Sequence, residues 1–474
     1  MDTSALEKLR QCGRLETYST ARHHLGFYNN VGLTATYTTS SALKDPLENV
    51  VFTALRHVIG KHSNLSAIPV NEEKSSPDVY LARLPEIDLR TCVEFHARTT
   101  PIRQGDEADD ELDELLRDQH DRNFKGNVPS RPYWRLLVTS SPTTPGPFTA
   151  SWIFHHALCD GASSMLFHQS FLDGLNTPDL DASPIVKAPS TSLPPSLEEL
   201  HPMTLSWTLF LRAIASSILP SSLTRPANLW TGPPVPPNGT PAPQSATQTL
   251  YFSAATTRAL ATKCREEKTS VTAALTALTA AALHASAAPN QALSIDVPIS
   301  LRPCLAPREN EMLSATANCT ASFPAPDSAA TGALQYFSWA AARAVKRDIA
   351  TEVRKNGADN PVALLRYVSN MASHFTQKEG AEREASAEVS CLGVWKGVQR
   401  DNAGWALSRL CFSQCVGRSG APVEVCAVTG ADGCLAVCFR WVGAGGVERV
   451  PGLECERQQR RQPETRDWNM IIVV

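Results

Sequence analysis

The stretch Phe154-His155-His156-Ala157-Leu158-Cys159-Asp160-Gly161 decides the reading of this 474-residue chain. It follows a strand-like run, Phe148 to Phe154, and precedes a helix-like run, Gly161 to Leu175. Two histidines therefore stand where a buried strand opens into a loop, a place where side chains reach a cavity while the scaffold holds them still. In a chain with 12 His, the shorter pattern H-x-x-x-D is expected about 0.5 times by chance and carries nothing alone. A His before it and a Gly after it lower the expectation to on the order of one in a thousand. The residue types suit proton transfer. A neutral imidazole, with an ordinary pKa of about 6.5, works as a base at neutral pH. His156 is the candidate base, and His155 reads as a packed neighbour. Asp160 is four residues on and is not assumed to touch His156. Gly161 allows a sharp turn into the helix and leaves backbone N–H groups free near its start. The alternatives are a packed or metal-bound histidine pair and a nucleophilic Cys159. Zinc needs further ligands at compatible spacing, and the adjacent Cys159 and Asp160 are awkwardly placed to supply them.

The form H-H-x-x-x-D-G resembles the signature of acyltransferases built like chloramphenicol acetyltransferase, the superfamily of plant BAHD enzymes and peptide-synthetase condensation domains. The opening, Arg22-His23-His24-Leu25-Gly26-Phe27-Tyr28, is similar to the start of fungal alcohol acetyltransferases, a narrower match. Further resemblances are Pro132-Tyr133-Trp134-Arg135-Leu136 before the histidine motif, Ser270-Val271-Thr272-Ala273-Ala274-Leu275, and Pro298-Ile299-Ser300-Leu301-Arg302. Ser386-Ala387-Glu388-Val389-Ser390-Cys391-Leu392-Gly393 matches a family strand, with Cys391 where Asn is expected. The resemblance covers roughly residues 8–442. It implies that Asp160 points away from the base and pairs with an Arg, which makes Arg302 the candidate partner. The other reading of Arg302 is a solvent-facing side chain after a strand. Ser413, in Leu410-Cys411-Phe412-Ser413-Gln414, is a candidate for the oxyanion or the channel wall.

Composition sets outer bounds. At 42% hydrophobic and 19% charged the chain is globular, and a net charge of −3 gives no overall basic excess to suggest nucleic acid. Thirteen cysteines, odd in number and without C-x-x-C pairs, read as reduced residues in a reducing compartment. The polar start, Met1-Asp2-Thr3-Ser4, has no apolar signal core, and no run reaches the roughly 18 apolar residues needed to span a bilayer. The reading is a cytoplasmic monomer. Met203 to Leu219 is an apolar helical stretch, suited to packing, to covering a channel, or to peripheral contact with an internal membrane.

In chain order, Val31 to Tyr37 alternates like a strand and reads as the first one, Leu47 to Lys61 has a helical apolar face, and Gln335 to Ile349 reads as a helix. Arg131 to Val138 should pair with the motif strand as a hairpin. The sequence divides into an N-terminal domain (1–175), a Pro-rich crossover linker with a helix (176–247), a C-terminal domain (248–442), and an atypical tail (443–474). The tail reads as a mobile segment or the product of a missed splice.

The resemblance implies an α/β fold of the α+β two-layer sandwich type. Two chloramphenicol acetyltransferase-like domains face each other as a pseudo-dimer, with a channel between them. It implies acetyl-CoA as co-substrate rather than bound cofactor, no metal, and a small-molecule alcohol acceptor. The linker and the Ala-rich second half look like those of a filamentous fungal protein, which makes a secondary metabolite the expected acceptor class. The rivals are an N-acetyltransferase of an amine-bearing lipid-like compound, a condensation-type enzyme with a carrier-bound donor, and a non-catalytic binding protein. Residues contacting the co-substrate are not assigned.

Overall fold

A computed structural model describes residues 3–442, apart from 41–42, 144–145, 178–180, 220–224, 227, 238–239, 241–244, 307, 309, 328–331 and 399–403, and apart from the side chains of 216–218. The tail segment 443–474 lies outside the described residues.

The motif strand, Phe148–Phe154, is buried along its whole length. It has Val31–Thr39 on one side and Trp134–Ser140 on the other, both antiparallel. The expected hairpin is present, with Trp134 opposite Phe154. A strand covered on both faces needs apolar side chains at successive positions. Trp152 supplies much of that contact, stacking on Phe154 and on Phe167 of the following helix, each at 4.2 Å. That helix, Gly161–Leu175, packs against Leu47–Lys61. The latter buries Val51, Ala54, Leu55 and Val58 of the apolar face that its periodicity predicts, together with Phe52 and Ile59, while Val50 on that face is partly buried. Gly174 sets their separation, since a Cβ there would lie 2.8 Å from the Ala54 carbonyl oxygen.

Two principal sheets carry the molecule. The five-stranded sheet runs Trp405–Gln414, Val31–Thr39, Phe148–Phe154, Trp134–Ser140, Val93–Ala97. The six-stranded sheet runs Ser245–Phe252, Leu435–Val442, Val423–Thr429, Ala387–Val394, Leu293–Ser300, Thr316–Phe323. The first sheet's edge strand comes from the last third of the chain: Trp405 pairs with Thr39 and Gln414 with Val31. The division at residue 247 is therefore crossed in space, because the second half lends a strand to the first. Its own sheet also starts slightly earlier than expected, at Ser245. The exchanged strand buries Leu407, Leu410, Cys411 and Phe412 in the same core as the motif strand, tying the halves together by backbone hydrogen bonds as well as apolar contact.

Two local differences from the sequence reading have plain causes. Val31–Thr39 is not the first element: a strand, Glu7–Gln11, and a helix, Arg14–His24, precede it. The helix hides from pattern analysis because its buried side includes Glu16, Thr17, Ser19, Thr20 and His23. Its start is fixed by Glu16, which accepts a hydrogen bond from the Gly13 N–H at 2.7 Å and holds Arg10 with two more. The helix expected over 335–349 is two pieces, Ala333–Tyr336 and Trp339–Arg354. Ser338 caps the second by accepting from the Ala341 N–H. The apolar stretch from Met203 forms the helix Trp207–Ile218, with Trp207 and Leu211 exposed and Phe210 against Tyr367. Among the described residues no helix is long and apolar enough to cross a membrane.

Candidate active site

His156 opens onto a cavity of about 670 Å³ walled by both halves of the chain. The first half supplies Arg22, Tyr28 and the motif loop; the second supplies Glu388, Leu392, Phe412, Gln414 and Glu424. His156 is half-buried at the cavity wall, and its Nδ1 makes no well-aligned hydrogen bond. Burial, then the Arg22 cation, push its pKa down to about 4. The ring is therefore neutral at pH 7, the form a proton acceptor needs.

Asp160 does not serve His156 directly. It is buried and caps the motif helix: Oδ1 accepts from the Ser163 N–H at 2.8 Å and the Ser163 hydroxyl at 2.9 Å. The same oxygen takes a hydrogen bond from Arg302 Nη2 at 2.8 Å, and Oδ2 takes one from the Ala315 N–H. Arg302 is buried as well, and it also donates to the Leu313 and Glu311 carbonyls. Sequence positions 160 and 302 thus meet across the junction of the halves and clamp the loop that carries His156. Burial pushes the Asp160 carboxyl up, but Arg302 and Ser163 outweigh it and leave it below the usual value. Ser163 was not singled out by the motif. Its hydroxyl joins Asp160, Arg302 and Leu313.

Gly161 serves a different purpose from the one expected. Its backbone is not among the left-handed glycines, so no unusual turn requires it. What requires it is space: a Cβ would lie 2.6 Å from Leu392 Cδ2 and 3.3 Å from Phe412 Cζ. Gly161→Ala is expected to cost about 1–3 kcal/mol by overpacking. It should also displace two cavity-lining side chains. Chemical denaturation and acceptor KM check both effects; an unchanged midpoint contradicts this contact.

His155 is turned away from the cavity into a buried cluster. Its Nδ1 accepts the Ala157 N–H at 3.0 Å, and its Nε2 lies 3.1 Å from Glu72 Oε1. His23 repeats the arrangement: Nε2 accepts the Phe124 N–H, and Nδ1 lies 3.0 Å from Glu72 Oε2. Tyr133 donates its hydroxyl to the same carboxylate. The three ligand-type groups lie within 4.8 Å of one another, as in a metal centre. Their protons argue otherwise. Each imidazole spends one nitrogen accepting a backbone N–H, so the nitrogen facing Glu72 carries the hydrogen. A metal-ligating His has the reverse pattern, donating from its far nitrogen. Burial pushes the Glu72 carboxyl up, but His23 and His155 outweigh it and hold it down to about 2. Nothing in the motif signals Glu72, because its partners are distant in sequence.

Ser413 is a correction. It lies on the strand Trp405–Gln414, where its neighbours Phe412 and Gln414 line the cavity. Alternation turns Ser413 to the opposite face, where its hydroxyl meets His120 Nε2 at 2.8 Å. It is fully buried there and borders no part of the cavity. Gln414 faces in: its amide donates to Glu388 and Glu424, each at 2.8 Å, and its carbonyl accepts from Tyr28. Burial raises the pKa of both acids. Cys391 lines the cavity, but burial pushes its thiol up to about 12, and burial raises Cys159 too. Neither is an activated nucleophile. No disulfide joins the described cysteines.

With this geometry in place, comparison with known proteins is direct. Residues 11–442 match the family model described as alcohol acetyltransferase. The chain belongs to the alcohol acetyltransferase family. It is 33% identical over 454 residues to the probable alcohol acetyltransferase crmB of Aspergillus fumigatus, covering 90% of this chain and 94% of that one. It is 26% identical to the probable alcohol acetyltransferase FCK4 of Fusarium pseudograminearum, covering 89% of this chain and 86% of the relative. Among solved structures, the TRI3 trichothecene 15-O-acetyltransferase from Fusarium sporotrichioides superposes with a TM-score of 0.63 at 12% identity, covering 91% and 90% of the two chains. A starter condensation domain of rhizomide synthetase, in complex with C8-CoA, superposes with a TM-score of 0.56 at 12% identity, covering 92% and 89%. The fold is thus the two-domain one of condensation domains and acetyltransferases, and membership of the family makes the protein an acyltransferase.

Proposed function

We propose that the protein transfers an acetyl group from acetyl-CoA to the hydroxyl of a small-molecule alcohol, with His156 as general base. The observation that carries this reading is the neutral imidazole of His156, open to a cavity shared by both halves, on a loop held by the Asp160–Arg302 pair. His156 takes the hydroxyl proton as the acceptor oxygen bonds to the thioester carbon. The carbon–sulfur bond then breaks, and the protonated imidazole returns its proton to the leaving CoA thiolate. Atoms balance as acetyl ester plus CoA, without an acyl-enzyme or resident metal. Two substrates meeting in one cavity supply the orientation. The Gln414, Glu388 and Glu424 wall gives a hydroxylated acceptor polar partners. Both relatives are probable alcohol acetyltransferases of fungi, and the acceptor class proposed with this reading is a fungal secondary metabolite.

The test is CoA release from acetyl-CoA with a panel of alcohols and amines. Turnover with alcohols is expected. Turnover with amines alone contradicts O-transfer, and ligand binding without any turnover contradicts an enzyme.

The base also predicts a pH profile. A general base works deprotonated, so activity falls as pH drops through its pKa. With His156 held at about 4, the acid limb of kcat/KM should lie well below the ordinary 6.5. Activity at pH 5.5 should be close to that at pH 7. A limb near 6.5, with the fold intact by circular dichroism, contradicts the neutral-cavity account.

A further inference from the structure

Thioester attack puts negative charge on the carbonyl oxygen, and the site needs a donor for it. Ser413, the hydroxyl the sequence offers, is spent on His120 on the far side of its strand. The cavity holds another donor. Arg22, near the end of the helix Arg14–His24, lines it together with His156. Its guanidinium carbon lies 3.9 Å from the Tyr28 ring centre and 5.1 Å from that of Tyr18. The Tyr28 ring is in turn 6.1 Å from that of His156. Guanidinium N–H groups radiate in the plane of the group, so contact with an aromatic face consumes none of them. Among the described residues Arg22 has no side-chain hydrogen bond or ion pair, and its Nε is buried without a partner. The contrast with Arg302 is sharp, since that side chain meets a carboxylate, a hydroxyl and two carbonyls.

An unpaired cation at a cavity wall is costly to keep and favours an anion that forms beside it. We infer that Arg22 is a catalytic residue: its free N–H groups donate to the thioester carbonyl oxygen as that oxygen becomes an oxyanion. As the acceptor oxygen bonds to the carbon, the carbonyl π electrons move to the oxygen, and Arg22 meets the charge. When the carbon–sulfur bond breaks they return, and the interaction weakens. This role rests on the acyl-transfer reading above. The same cation sits near Tyr18, Tyr28, His155, Cys415 and Glu388, and its proximity to His156 helps hold that ring neutral.

The experiment compares wild type, Arg22→Met and Arg22→Lys, using acetyl-CoA and an alcohol the wild type acetylates. Arg22→Met should lose about 100-fold or more in kcat, the effect of removing one oxyanion donor, with both KM values nearly unchanged. Its acid limb should move up in pH, because the cation that depresses His156 is gone. Arg22→Lys keeps the charge and should retain that limb while losing part of kcat; it carries the test if the methionine variant does not fold. A kcat within about threefold of wild type in a folded variant overturns the inference. So does a loss confined to the KM of either substrate, which would make Arg22 a binding group for acceptor or CoA. A wild type that acetylates nothing overturns the acyl-transfer reading and this role together, whereas an active wild type with an active Arg22→Met removes this role alone.

Discussion

Replacing His156 with alanine is expected to lower kcat by about 100-fold to 10,000-fold, the contribution of a positioned base, and to leave the fold intact. Both halves follow from where the ring sits. It borders a cavity, and its Nδ1 makes no well-aligned hydrogen bond, so its removal orphans no partner there. His155→Ala is the informative contrast. That ring is buried between the Ala157 N–H and the Glu72 carboxylate. Its loss leaves a backbone donor unsatisfied and takes from a buried anion the imidazole that lies 3.1 Å away, a cost of about 1–3 kcal/mol or more. The adjacent histidines should therefore separate cleanly: position 156 loses rate without stability, and position 155 loses stability. Kinetics and urea unfolding on the two variants check this. Equal destabilisation of both would contradict the assignment.

The second large effect is expected at the clamp. Removing either partner of Asp160–Arg302 leaves a buried charge uncompensated, which costs about 3–5 kcal/mol. Asp160→Ala also strips the N-cap from Ser163 and the acceptor from the Ala315 N–H. Arg302→Ala leaves the carboxylate its Ser163 and Ala315 donors, so it should be the milder variant. A double-mutant cycle should show strong coupling. The pair has a pH signature as well. The folded Asp160 carboxyl lies below its ordinary value of 3.8. Its stabilisation is thus fully present above that value and is lost as pH falls through the folded value. Additive effects in the cycle would mean that the contact at 2.8 Å does not hold the loop.

The parts of the site legible in the sequence are those carried by local pattern. The end of a buried strand, two histidines, an aspartate and a helix start lie within the eight residues Phe154 to Gly161, and local order places His156 and Asp160. The helix Leu47–Lys61 and the hairpin of Trp134–Ser140 with the motif strand follow from periodicity and turn residues in the same way. The Arg302 partnership was suggested by family resemblance and not by spacing, since 142 residues separate it from Asp160. What pattern does not reveal is which half a strand joins. Trp405–Gln414 belongs to the second half in sequence, yet its hydrogen bonds go to Val31–Thr39. That exchange decides which of its side chains face the cavity: Phe412 and Gln414 do, and Ser413 does not. Polar burial is equally silent. Glu72 lies between Asn71 and Glu73 and looks like a surface acid, but His23, Tyr133 and His155 gather around it from three distant segments. Arg22 stands in a quoted family-like stretch, yet its unpaired donors become visible only once Tyr18 and Tyr28 are seen to hold it by their faces.

The most direct measurement of the central claim is mass-spectrometric detection of an acetyl ester formed from isotopically labelled acetyl-CoA and an alcohol, with free CoA quantified in the same sample. Wild type should yield labelled ester and CoA in equal amounts, and His156→Ala should yield neither above background. CoA released without ester, or ester formed equally by the variant, would contradict transfer by a His156 base.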